Sequence, residues 1–124
     1  MLIDDHSAMG VIFKTMLTAM GCAPSDFDFC QDVEAAVTCL KQNSPYQVIF
    51  LDHSVPPTYH FRESLAMMGE VRGDTPIVLL SGMIPQDFGT DAVDARIAHC
   101  MEKDDLSAKS LFALLKSLGV PLAS

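Results

Sequence analysis

Two adjacent aspartates (Asp4, Asp5), a third (Asp52), a serine (Ser81) and a lysine (Lys103) are the residues of this 124-residue chain whose types and positions point to chemistry. Each stands at or just beyond the end of a short apolar run. Met1-Leu2-Ile3 leads into Asp4-Asp5, and Val48-Ile49-Phe50-Leu51 into Asp52. Ile77-Val78-Leu79-Leu80 leads into Ser81, and Ile97 to Met101 is followed, after Glu102, by Lys103. Three ionised carboxylates brought together repel one another, and one takes up a proton at raised pKa unless a cation joins them. Carboxylate oxygens and water suit Mg²⁺, which commonly shares its shell with a phosphate oxygen. With such an ion in place, a carboxylate can attack phosphorus and become an aspartyl phosphate. The ammonium of Lys103 and the hydroxyl of Ser81 are the groups to meet the negative charge on the transferring oxygens.

Taken singly, each residue has a plainer reading. Asp5 or Ser7 can cap the helix that follows, and Asp104 or Asp105 can cap the last helix. Ser81-Gly82 is a common turn pair. Asp52-His53-Ser54 is no catalytic triad, because consecutive residues cannot place their side chains in a relay. His6 and His53, beside the acidic residues, read as partly exposed loop histidines. The joint placement of the polar residues at strand ends is what singles them out.

The elements that must position them alternate along the chain. The apolar runs are continuous rather than alternating, which suits strands covered on both faces of a parallel sheet. Phe27 and Phe29, alternating with Asp26 and Asp28, predict a half-exposed second strand. Between the strands lie helical stripes. Met9, Ile12, Phe13, Met16, Leu17 and Met20 make the first, with Gly21 as its stop. Val33, Ala36, Val37 and Leu40 make the second, and Phe61, Leu65 and Met68 the third. A helix over 86–95 has a thin apolar pattern broken by Gly89. Leu111, Leu114, Leu115 and Leu118 make the last stripe, ended by Gly119 and Pro121. Five strand-plus-helix units with right-handed crossovers make an α/β doubly wound sheet in one domain, 1–124. Ligands of such sheets sit outside the carboxyl ends of the strands.

Composition narrows the function classes. Eight basic and sixteen acidic residues give a net charge of −8, which speaks against nucleic acid and anionic membranes as partners. No apolar run approaches the roughly 18 residues that span a bilayer. The N-terminus has no basic region leading into an apolar stretch, so a signal peptide is not expected and a cytoplasmic location is. Cys22, Cys30, Cys39 and Cys100 lack the Cys-x-x-Cys spacing of redox or zinc sites. They are expected to be reduced and mostly buried.

The layout of Asp4-Asp5, Asp52, Ser81 and Lys103 resembles the receiver domain of two-component response regulators, across nearly the whole chain. Twenty-nine residues separate Asp52 from Ser81 and 22 separate Ser81 from Lys103, close to the family's separations. Val55-Pro56 after Asp52 and Pro76 before the fourth strand are further marks. The resemblance implies a five-stranded parallel sheet in order 2-1-3-4-5. It implies that Asp52 accepts a phosphoryl group from a histidine kinase or phosphotransfer protein. Asp5 would then ligate Mg²⁺ directly and Asp4 largely through water. The backbone carbonyl of Ser54 would be another ligand, and Ser81 and Lys103 would bind the phosphoryl group. In the family, Ser54 and Met83 occupy positions that tune dephosphorylation.

The chain also departs from the family. Asp104 replaces the proline after the lysine and could compete for its charge. Cys100 stands where the family has its aromatic switch. His60 stands eight residues after Asp52, where glycine is common, and Arg96-Ile97 replaces a Gly-Ala pair. The first strand is about one residue short, so the chain is expected to begin inside a longer natural start. With no room for an output domain after Ser124, the expected role is a stand-alone regulator or phosphorelay shuttle. Such a protein is phosphorylated on Asp52 and acts through altered protein contacts, with homodimerisation one route and the surface around Ile97 and Cys100 the expected contact. It would not be an enzyme on external substrates. The alternative is a degenerate receiver that binds its partner without phosphorylation. An aspartate-based phosphatase is disfavoured, because Ser54 stands where a general acid is needed.

Overall fold

A computed structural model describes residues 1–21, 27–43, 46–53, 55, 61–81 and 97–120. In chain order its elements are β1 (Leu2–Ile3), α1 (Ser7–Ala19), β2 (Phe29–Cys30), α2 (Val33–Asn43), β3 (Ile49–Asp52), α3 (Phe61–Met68), β4 (Ile77–Ser81), β5 (Ile97–Glu102) and α4 (Ala108–Ser117). Single 3₁₀ turns follow α3 (Gly69–Arg72) and β5 (Lys103–Asp105). The five strands form one sheet in the order β2-β1-β3-β4-β5, and every neighbouring pair is parallel. The expected helix over 86–95 lies outside the described residues, as do Cys22, Ser54, Pro56, His60, Gly82, Met83 and Pro121.

The unbroken apolar runs have the predicted cause. All four residues of β3 are buried, because helices cover both sides of the sheet. Alternate strand residues feed two separate cores. Ile3, Ile49, Leu51, Ile77 and Leu79 pack with Val33, Ala36 and Leu40 of α2 and Leu65 and Met68 of α3. Leu2, Phe50, Val78 and Leu80 pack with Phe13 of α1 and Leu111, Leu114 and Leu115 of α4. Phe13 meets Phe50 edge to face with ring centroids 4.9 Å apart, the preferred geometry of an aromatic pair. The methionines of the first stripe lie half-buried against this second core.

One helical glycine is required by a close approach. A Cβ on Gly10 would stand 2.6–2.9 Å from three ring atoms of Phe29. Overpacking of this kind costs about 1–3 kcal/mol, and alanine's better helix propensity returns about 1 kcal/mol. Gly10→Ala is therefore expected to lower the unfolding free energy by about 1 kcal/mol. Urea titration measures the loss, and adding Phe29→Leu should recover part of it.

The helix ends correct the sequence reading. Neither Asp5 nor Ser7 caps α1: its N-cap is His6, with no side-chain cap hydrogen bond, and the backbone N–H of Met9 donates to His6 O at 3.0 Å. Nor do Asp104 and Asp105 cap α4. They lie within the 3₁₀ turn, and Ser107 and Ser110 form a reciprocal capping box. At the other end of α4, Gly119 takes φ +78°. The N–H of Val120 bonds to Leu115 O and that of Gly119 to Lys116 O, the Schellman arrangement that favours glycine there.

The cysteines are less buried than expected. Cys30 is buried while Cys39 and Cys100 are half-exposed, and all three are free thiols. Burial pushes the Cys30 thiol up to about 12, far from the thiolate range that supports reactivity. Ile97 lies in the core at 9% exposed and so cannot present the contact surface expected of it, whereas its neighbours Ala98 and His99 are exposed. None of the described helices is long and apolar enough to cross a membrane.

Candidate functional site

Parallel strands bring their carboxyl ends to one edge of the sheet, and the sequence has placed its acids there. Asp4 follows β1, and its N–H donates to Cys30 O of β2 at 3.0 Å, so its backbone is held by the neighbouring strand. Asp52 closes β3, in register with Leu80 of β4. Lys103 begins the turn after β5. The backbone of Ser81 closes β4 opposite Glu102. Its hydroxyl, like the Ser54 carbonyl, lies outside what the structure describes.

The side chains converge. Lys103 Nζ lies 2.9 Å from Asp4 Oδ2 and 3.1 Å from Asp52 Oδ1. Asp4 is fully buried, Asp52 nearly so, and the lysine side chain is 17% exposed. Among the described residues, Lys103 pairs with these two acids, and the expected competition from Asp104 is not seen. Asp5 completes the group at the more open side, where 40% of its side chain is exposed. His6 joins it: Nδ1 stands 2.9 Å from Asp4 Oδ1 and 3.1 Å from Asp5 Oδ1. The Asp4 Oδ1 atom also accepts the backbone N–H of His6 at 2.9 Å.

Electrostatics follows from this crowding. Burial, together with the Asp4 carboxylate, raises the pKa of Asp52, and Lys103 opposes the rise. Burial by itself lowers the pKa of Lys103, but its contacts with Asp4 and Asp52 outweigh that and hold it above the usual lysine value. The hydrogen bond to Asp4, then the charges of Asp4 and Asp5, raise the pKa of His6. The group holds three carboxylates and one ammonium, with the His6 ring at its open side, so the site is short of positive charge.

A divalent cation fits that shortage. Asp4, Asp5, His6 and Asp52 each present one ligand atom, all within 4.8 Å of one another. An octahedral ion with bonds near 2.1 Å spans about 4.2 Å between opposite ligands. Asp4 Oδ2 is buried, with the Lys103 ammonium 2.9 Å away as its counter-charge. The donors are mainly hard oxygens, the class that Mg²⁺ takes.

His6 is the member that the sequence reading left out. It was expected as a partly exposed loop histidine, and 65% of its side chain is indeed exposed. Its available signal was adjacency to Asp5: an extended residue at a strand-to-helix turn can fold its ring back over the preceding acids. His53, half-exposed, is held through its backbone, whose N–H donates to Leu80 O at 2.9 Å.

No family model matches the chain, and no curated protein does. Solved structures do match. A response regulator receiver domain from Methylobacillus flagellatus is 23% identical, with a TM-score of 0.73 over 94% of each chain. The receiver domain of NtrX from Brucella abortus is 18% identical, with a TM-score of 0.74 over 94% of each chain. The chain has the receiver-domain fold. The receiver domain of a sensor histidine kinase from Pseudomonas aeruginosa is also similar: 18% identical, TM-score 0.72, covering 95% of this chain and 94% of that one. Its structure carries a magnesium ion in the active-site cleft. The strand order that the resemblance implied is the one observed, and the acids lie at the carboxyl edge where such a sheet binds its ligands.

Proposed function

We propose that the protein is a receiver domain of two-component or phosphorelay signalling, phosphorylated on Asp52 in the presence of a divalent ion. The observation that carries this reading is the meeting of Lys103 with two buried carboxylates, Asp4 and Asp52, beside the partly exposed Asp5. The magnesium in the cleft of the Pseudomonas receiver supports the choice of ion. Asp4, Asp5 and Asp52 would hold the ion, and when bound it supplies positive charge to the phosphoryl oxygens and screens the carboxylates from one another.

The chain's own groups account for the rest. An ionised Asp52 oxygen attacks phosphorus of a phosphohistidine donor. The phosphorus–nitrogen bond breaks, its electron pair leaves with the imidazole, and an acyl phosphate remains on Asp52. Lys103, now contacting Asp52 Oδ1, is placed to pair with the new phosphoryl oxygens. Asp4, deep in the strand edge, keeps that ammonium in position. Ser81 would donate a hydrogen bond to the same group. Output then follows as a shift between two surface states, with a kinase or phosphotransfer protein upstream and a protein target downstream. The reaction is the domain's own modification, not turnover of an external substrate.

Intact mass after incubation with a small acyl phosphate and Mg²⁺ tests this. One phosphoryl adduct is expected on the wild type, and none on Asp52→Asn or in excess chelator. A folded wild-type protein that gains no adduct would sink the reading. One observation favours a second: Cys100 stands where the aromatic switch is usual, and it packs half-buried against the α2/α3 core. No ring is available there to relay phosphorylation. In that reading a partner binds wild type and Asp52→Asn equally well.

A further inference from the structure

Two nucleophilic side chains that the phosphoryl chemistry does not use meet away from the acidic group. Cys30 closes β2, and Cys39 lies midway along α2. The Cys30 thiol donates to Cys39 Sγ at 3.7 Å. A disulfide bond is about 2.05 Å long, so the two sulfurs need close by only about 1.7 Å, which side-chain rotation can supply. The packing holds them in this position. Val33, Ala36 and Leu40 press α2 into the same core as Cys30, and Cys39 lies half-buried beside it. The two thiols differ in access. Cys30 is 3% exposed, whereas Cys39 is half-exposed, next to the exposed Thr38. An oxidant in solvent therefore reaches Cys39 first. Burial, with the pKa of Cys30 pushed up to about 12, keeps that sulfur protonated and out of solvent reach. An accessible thiol beside a second, resolving one is the arrangement of redox-sensitive cysteines.

We propose that Cys30 and Cys39 form a reversible redox-modification site, in which a hydroperoxide oxidises Cys39 and Cys30 converts the product to an intramolecular disulfide. The proposal is independent of whether Asp52 is phosphorylated. The Cys39 thiol gives its proton to water, and its sulfur attacks a peroxide oxygen. The oxygen–oxygen bond breaks, the departing oxygen takes up a proton, and Cys39 becomes a sulfenic acid. Cys30 sulfur then attacks Cys39 sulfur. The sulfur–oxygen bond breaks, and the leaving hydroxide departs as water with the Cys30 proton. Two thiols are oxidised to one disulfide while hydrogen peroxide is reduced to two waters. A dithiol reverses the change by exchange. The bond would fasten α2 to β2, the edge strand whose Cys30 carbonyl accepts the Asp4 N–H at 3.0 Å. The opposing possibility is that the two sulfurs meet only as small apolar groups filling a core.

Peptide mapping distinguishes the two. The reduced full chain is treated with hydrogen peroxide, blocked with iodoacetamide and cleaved after acidic residues without reductant. Glu34 lies between Cys30 and Cys39, and Asp26 and Asp28 lie between Cys22 and Cys30, so the fragments assign the bond. The intact mass is expected to fall by about 2 Da, the two hydrogens that one disulfide removes. The Cys30 and Cys39 fragments should travel as one, and dithiothreitol should separate them. In Cys30→Ala the sulfenic acid has no resolving thiol, so dimedone should label Cys39 there and not in wild type. The wild-type map decides the matter even where that variant fails to fold. A bond from Cys39 to Cys22, to Cys100 or to a second copy overturns the proposal. So does a wild type with Cys39 oxidised and Cys30 still free, or with both thiols intact after Cys100 is spent.

Discussion

Lys103→Met is expected to lower the free energy of unfolding at pH 7 by about 3 kcal/mol, the low end of what removing one partner of a buried ion pair costs. The lysine side chain is only 17% exposed and faces two carboxylates with almost no access to water. Without it, Asp4 and Asp52 remain buried, close together and uncompensated. Methionine replaces most of the apolar stem, so the loss reports charge rather than packing. The site opens to solvent on the Asp5 side, which is why the low end applies. The pH dependence has a definite sign. The folded-state pKa of Lys103 is raised, so its stabilisation is fully present below the unfolded value near 10.5 and is lost as pH rises through the folded value. At the acid end the gap between variant and wild type also narrows, because a protonated Asp52 no longer needs the ammonium. Urea titrations at pH 4 and 7 measure this. A gap that stays constant between them would mean that Lys103 acts through packing alone. Against a total stability of about 5–15 kcal/mol for a domain, the expected loss is large but leaves a folded protein to measure.

What could be read from the sequence divides by the kind of signal. Burial leaves a period, and the period was legible: Ile49 to Leu51 and Ile77 to Leu80 are continuous because each residue meets one of two cores. The polar residue at the end of each run then lay at one edge by topology alone. That is why Asp4, Asp52 and Lys103 were found from sequence and do meet. Local competition for hydrogen bonds leaves no such period. Ser7, Asp5 and His6 all stand where a cap is possible, and the outcome depends on Asp4, whose Oδ1 takes the His6 N–H and ring together. The same holds before α4, where Asp104, Asp105 and Ser107 compete and Ser107 prevails with Ser110. Ile97 was misplaced for a related reason: the first residue of an edge strand can turn either way, and here it turns inward.

Asp52→Asn is expected to do the opposite of Lys103→Met. Without divalent ions it should stabilise the protein at pH 7 by about 1 kcal/mol, the order of free energy that a one-unit rise in a carboxyl pKa represents. Asp52 is 5% exposed, and burial with the nearby Asp4 charge raises its pKa. A raised carboxylate pKa means the fold is destabilised as pH rises from the unfolded value near 3.8 through the folded one, where the charge must form in place. An amide of the same shape avoids that cost, and Lys103 keeps Asp4 as its partner. In a domain of this length, 1 kcal/mol moves the melting temperature by roughly 3–6 °C, so thermal unfolding resolves the effect. Adding Mg²⁺ should reverse the order. An ion at 100 times its dissociation constant stabilises the wild type by about 2.7 kcal/mol, and the Asn variant, short of one charged ligand, gains much less. The crossing separates two views of the site. A cluster kept for structure would lose stability when Asp52 is neutralised, with or without the ion. A cluster kept for phosphoryl chemistry is strained until its cation arrives, and its nucleophile stays charged because function needs it so.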